Sequence, residues 1–244
     1  MTMSDFYVGY LPQAPAATAR FIKKVVAGLA LLALVAAMTL ILSQMPFARS
    51  IFEFGVSRSF EGVVATSPFP MLLVPRPGSH EVSQYLLVAP GKHGADSFVA
   101  AFAGKQVRLQ GQLIYRDGQT MVEIDPKTIT AIDSPQNSGP ETIDLGTTTL
   151  TGEIVDSKCY LGVMNPGRGK VHRDCAARCL SGGIPPALLT STGEIVLLVN
   201  RDGKAFAQDA LREFVDEVVV VRGDLVRRGE VKIVRAENIR HGGS

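Results

Sequence analysis

The sequence has no tryptophan, and its few phenylalanines and tyrosines make up only 7% of the chain. A platform on which single-stranded bases could stack therefore lacks its usual parts. Charge of one sign is also missing: 25 basic and 23 acidic residues leave a net +2 over 244 residues. No broad basic face of the kind that binds nucleic acid follows from that balance, and nucleic acid is not expected as a partner. Cysteine is scarce, with three in the chain. That is too few for a disulfide-stapled miniprotein, and at this length apolar side chains can build a core unaided. No Gly-x-Ser-x-Gly, phosphate loop, dinucleotide fingerprint or His-Glu-x-x-His occurs, so the well-marked enzyme classes have no support and no catalytic residue is assigned. What the chain does have is a hydrophobic fraction of 46%, which excludes disorder throughout.

Part of that fraction lies in one run. Residues 25–48 carry no formal charge, and the first eighteen are almost wholly apolar, enough for a helix across a bilayer core. A cleaved signal peptide normally has a shorter apolar region with a small-x-small site close behind, and neither feature fits well. Arg20, Lys23 and Lys24 precede the run, against Arg49 and Arg58 after it. The positive-inside rule then places residues 1–24 as a cytoplasmic tail and everything after Arg49 outside. The expected location is the cytoplasmic membrane, single-pass, with the lipid bilayer as one partner and an integral-membrane protein as another.

Beyond a juxtamembrane linker at 49–59, short apolar or alternating runs separated by glycine, proline and aspartate give the pattern of small strands joined by turns. The two halves of this region match in order. Phe60-Glu61-Gly62-Val63-Val64 parallels Leu150-Thr151-Gly152-Glu153-Ile154-Val155, Leu86-Leu87-Val88 parallels Leu197-Leu198-Val199, and Val107-Arg108-Leu109-Gln110-Gly111 parallels Val219-Val220-Val221-Arg222-Gly223. Such order indicates an internal duplication. The expected fold is mainly β: one transmembrane helix, then two tandem small β-barrel domains resembling the OB type, at 60–132 and 150–241, joined by a linker at 133–149. Helical segments are expected at 96–103 and 207–214. His80 and His93 fall in turns and are expected at the surface.

The second copy carries an insertion at 156–186 that holds every cysteine. Within it Cys159, His172, Cys175 and Cys179 have the spacing Cys-x12-His-x2-Cys-x3-Cys. A short helix over 170–180, stopped by Gly182-Gly183, sets His172, Cys175 and Cys179 at i, i+3 and i+7 on one face. Three thiolates and an imidazole suit zinc, copper or an iron–sulfur cluster. The spacing is neither the paired Cys-x2-Cys of a zinc ribbon nor a c-type haem motif. It partly resembles that of copper-delivery chaperones and of the binuclear copper domain of oxidase subunit II, in which the histidine follows the cysteine pair; here it precedes. Arg168, Lys170, Arg173 and Arg178 flank the cluster. Two alternatives stand beside a metal. Cys159 could be stapled to Cys175 or Cys179, making the chain a metal-free structural subunit, or Cys175 and Cys179 could serve a thiol-disulfide oxidoreductase. The leading expectation is a membrane-anchored binding or assembly subunit beside a redox or respiratory membrane complex, with its metal held by those four residues.

Overall fold

The computed structural model describes residues 15–44, 50–79, 81–132, 139–207 and 209–243. His80 lies outside the described residues, and His93 is exposed, as expected. The chain divides into two compact units, Met1–Ala48 and Arg49–Ser244.

The described residues of the first unit form one helix, α1 (Ala16–Gln44). It starts nine residues upstream of the apolar run, so Arg20, Lys23 and Lys24 belong to its early turns rather than to an unstructured tail. At ~1.5 Å per residue, its 29 residues exceed a hydrocarbon core of about 30 Å. With a mean hydropathy of 2.8 and none of its span buried against protein, it is long and apolar enough to cross a membrane. A signal sequence shares that property.

The second unit is mainly β. Its first sheet contains β1 (Ser50–Phe52), β2 (Arg58–Ala65), β3 (Met71–Pro75), β4 (Val82–Ala89), β5 (His93–Gly94), β6 (Gln106–Arg116), β7 (Gln119–Ile124) and β8 (Thr130–Ala131), with a helical turn α2 (Asp96–Val99) running into a 3-10 turn at Ala100–Phe102. The second is a closed barrel of β9 (Thr142–Asp156), β10 (Pro186–Thr190), β11 (Ile195–Asn200), β12 (Val218–Arg228) and β13 (Val231–His241). The pairing scheme repeats. In the barrel β9–β10, β10–β11 and β12–β13 are antiparallel, β11–β13 is parallel and β12 returns to β9. In the first sheet β2–β3, β3–β4 and β6–β7 are antiparallel, β4–β7 is parallel and β6 returns to β2. Paired glycines carry the same load in each. A Cβ at Gly62 or Gly152 would press on the carbonyl of Leu73 or Leu189 across the sheet, and one at Gly111 or Gly223 on that of Glu123 or Arg235.

Several strands are apolar on both faces because each face meets protein. Leu72, Leu87, Leu109 and Val122 fill the inside of the first sheet, and Ile154, Leu188, Leu198 and Val234 the inside of the barrel. The residues between them along the chain, Met71, Leu86 and Met121 from the first copy and Leu189, Leu197 and Ile233 from the second, join one shared cluster. The two copies thus pack into one unit.

Four local expectations need correction. β1 lies inside the stretch taken as a juxtamembrane linker, pairing Ser50–Phe52 with Arg116–Ile114 of β6. The linker at 133–149 is in part strand, because β9 starts at Thr142 and pairs with β12 along that length. Residues 209–214 form turns rather than a helix. Finally, the helix expected over 170–180 is α3 (Arg173–Ser181), with His172 at its N-cap.

Candidate metal centre

The segment between β9 and β10 holds the site. β9 ends at Asp156, whose Oδ1 accepts from the backbone N–H of Cys159 at 2.8 Å and nucleates the turn Cys159–Val163. An aspartate bonding three residues ahead satisfies a donor that the turn would otherwise strand. The loop then returns through Gly169, whose N–H donates to the Glu153 carboxylate, and α3 begins. Ala176 and Cys179 face inward and are buried. α3 ends at Gly182, whose N–H donates to Arg178 and Cys179 carbonyls, and Gly183 at φ 92° turns the chain into β10. That positive φ is the conformation glycine adopts without penalty.

These elements bring all four expected residues together. Ligand atoms of Cys159, His172 and Cys175 lie within 4.8 Å of one another, as do those of Asp156, Cys159 and Cys179. Cys159 belongs to both groups. The Cys159 and Cys179 sulfurs are 4.0 Å apart, near the ~3.8 Å that two thiolates at ~2.3 Å from a tetrahedral ion would span. A disulfide needs about 2.05 Å, and all three cysteines are free thiols, so the alternative of a staple is not formed.

His172 is held from its far side. Its Nδ1 sits 3.2 Å from Asp216 Oδ2, and its Nε2 stands 3.6 Å from Asp156 Oδ2. Among the described residues, His172 Nε2 and Asp156 Oδ2 are buried with no hydrogen-bond partner. Buried polar atoms are nearly always satisfied; these two stand 3.6 Å from each other, and their residues lie among the thiols of Cys159, Cys175 and Cys179. A carboxylate such as Asp216 on one imidazole nitrogen is also the contact that orients metal-bound histidines. The donor set therefore fits a metal, with Asp156 as an additional oxygen.

Two lysines cross between the copies at this point. Lys92, in the β4–β5 turn of the first copy, places Nζ 2.7 Å from Cys175 Sγ and 3.7 Å from Cys179 Sγ. In the other direction Lys158 donates to the carbonyls of Ala89 at 2.9 Å and Gly91 at 2.6 Å, and pairs with Glu123 at 2.5 Å. The N–H of Gly94 donates to Gly182 O at 2.8 Å, and a Cβ on Gly182 would overlap the Lys92 carbonyl. Arg116 of β6 donates to the Tyr160 carbonyl at 2.9 Å and stacks over its ring. The insertion is thus the joint between the copies as well as the site.

The electrostatics follow from this crowding. Burial alone would lower the His172 pKa, but Asp216 and Asp156 on either side leave it raised. Burial holds the Asp156 carboxyl above its usual range, partly offset by the Cys159 N–H. Within the Cys159–Cys179 pair, the shared hydrogen bond and burial push the Cys159 thiol up, and the same bond lowers Cys179 against its burial. Lys92 is raised by its bond to Cys175. Of the flanking cations, Arg173 is engaged with Glu217 at 2.9 Å, and Arg178 is exposed.

Sequence reasoning missed Asp156 as a donor, Asp216 as the residue that holds the imidazole, and both lysines. Asp156 sits three residues before Cys159, a capping spacing that is legible in hindsight. Asp216 and Lys92 lie far along the chain and carry no local signal. Comparison with models of known families, with curated proteins and with solved structures found no match for this chain.

Proposed function

We propose that the chain is a single-span membrane protein whose extracytoplasmic part is two tandem barrels of OB-like type, the second holding a transition metal through Cys159, His172, Cys175 and Cys179. It acts as a binding or assembly subunit of a redox or respiratory membrane complex, docked to an integral-membrane partner. The observation that carries the metal assignment is the gathering of ligand atoms from Cys159, His172 and Cys175, and from Asp156, Cys159 and Cys179, each group within 4.8 Å, with His172 Nδ1 held by Asp216. The anchor rests on α1, and the side on which the β part stands rests on Arg20, Lys23 and Lys24 before the span.

The test is elemental analysis and thiol counting on protein purified from its native membrane, beside the variant Cys179→Ser. Stoichiometric zinc, copper or iron in the wild type, lowered in Cys179→Ser together with its thermal stability, is the expected result, because metal binding and folding are linked. Three titratable thiols with no bound metal in the native protein would refute the assignment.

A further inference from the structure

The four donors are not equally accessible. His172 and Cys159 are 3% exposed and Cys179 1%, whereas Cys175 is half-buried. Cys175 lies in the first turn of α3 between Asp174 and the buried Ala176; Asp174 and Arg178, one helical turn on, are exposed. The far side of the centre is closed by the end of β9 and by Asp216, and the C-terminal end of α3 is closed by the β4–β5 turn against Gly182. The Lys92 ammonium lies over Cys175, on a turn whose neighbours Gly91 and His93 are exposed. A lysine stem can swing aside without breaking a strand pairing.

We propose that Cys175 is the exchange ligand of the centre, through which a soft metal ion arrives and leaves as a complex with a small anionic thiol, Lys92 being the cover that moves aside. The inference rests on the metal assignment above and adds the route and the carrier. In the exchange, a bond forms between the metal and Cys175 Sγ while a bond between the metal and the carrier sulfur breaks. The Cys175 proton leaves with the carrier thiolate, and no electron changes hands. Cys159 and Cys179 then displace the remaining carrier thiolates in the same way, each metal–carrier bond breaking as a metal–cysteine bond forms and each cysteine proton leaving on the displaced thiolate, drawing the ion inward. Thiol ligation of the incoming ion matches a thiolate-dominated site. Lys92 and Arg178 beside the entry favour a carrier bearing carboxylates.

Cadmium is a suitable probe, because its sulfur charge-transfer absorption grows with each Cd–S bond. Full-length wild-type protein in detergent is expected to show the absorption of three such bonds. In Cys175→Ser it should fall by a third and return when millimolar glutathione supplies the missing sulfur. In Cys159→Ser and Cys179→Ser glutathione should restore nothing, since those positions are closed to it. Rescue at a buried position, or none at Cys175→Ser, would overturn the proposal while leaving the metal assignment intact. Absence of any cadmium–thiolate band in the wild type would instead remove the metal assignment, and the proposal with it. Should the variants fail to fold, metal-free wild-type protein treated with iodoacetamide decides the matter: Cys175 should be alkylated about tenfold faster than either buried thiol, and prior reaction of Cys159 or Cys179 would overturn the exchange role.

Discussion

At the scale of single residues, the proposed centre depends on groups beyond its four candidate ligands. Asp216 holds His172 Nδ1 and so fixes which nitrogen faces the thiols. Asp216→Asn should keep the fold and lower metal affinity by about 10- to 100-fold, measured by competition against a chromophoric chelator. The same carboxylates set a pH dependence whose sign differs with loading. His172 is raised above its ordinary pKa of about 6.5 by Asp216 and Asp156 against the effect of burial, so the folded state keeps a proton that the unfolded chain has released. Its stabilisation is complete below the unfolded value and is lost as pH rises through the folded one. Metal binding requires that proton to leave, so affinity rises over the same interval. Melting of metal-free protein between pH 6 and 8 should therefore move down with pH while the metal-loaded protein moves up; parallel curves would refute the opposed protonation demands.

At the scale of elements, two glycine and lysine contacts make the insertion a joint. Gly182 has φ −82°, which any residue adopts, so alanine there would be rejected only for contact with the Lys92 carbonyl. Gly182→Ala should cost about 1–3 kcal/mol, the usual range for overpacking, read as a lower midpoint in urea. Lys158 is a stronger case: its side chain is 3% exposed against Glu123 at 11%, and Lys158→Met would leave a buried carboxylate and two carbonyls without their donor. The expected loss is about 3 kcal/mol, partly recovered in the double variant with Glu123→Gln. How far these elements were legible in the sequence depended on their spacing. Cys159, His172, Cys175 and Cys179 stood out because a helical repeat of i, i+3 and i+7 is local, and Gly62, Gly152, Gly111 and Gly223 because duplication repeats them. β1 was hidden, since Ser50–Phe52 gains its strand character only by pairing with β6, over sixty residues away. Likewise the expected helix near 207–214 had the right composition and lost to packing: Leu211 and Val215 are buried in the barrel core, and Val215 bridges to Ile154.

At the scale of the whole molecule, the proposed topology makes a direct prediction. Protease added to intact spheroplasts should remove the β part and leave a membrane-protected fragment containing the N-terminus; digestion at Met1 instead would invert the orientation. The repeated strand-pairing scheme was legible as an ordered series of matched runs, but the face-to-face packing of the two sheets was not, because residues such as Leu86 and Leu197 read as apolar whether they point into a sheet or out of it.

The parallel pairing of β11 with β13 has a consequence in time. The barrel that shapes the site closes only when Val231–His241 reaches both β12 and β11, and Asp216, which holds His172, precedes that strand by a short stretch. The donors of the insertion leave the ribosome well before the frame that orients them exists. A metal held by Cys159, His172, Cys175 and Cys179 would therefore be taken up only once Val231–His241 has joined the barrel, as a late step rather than as a nucleus for folding.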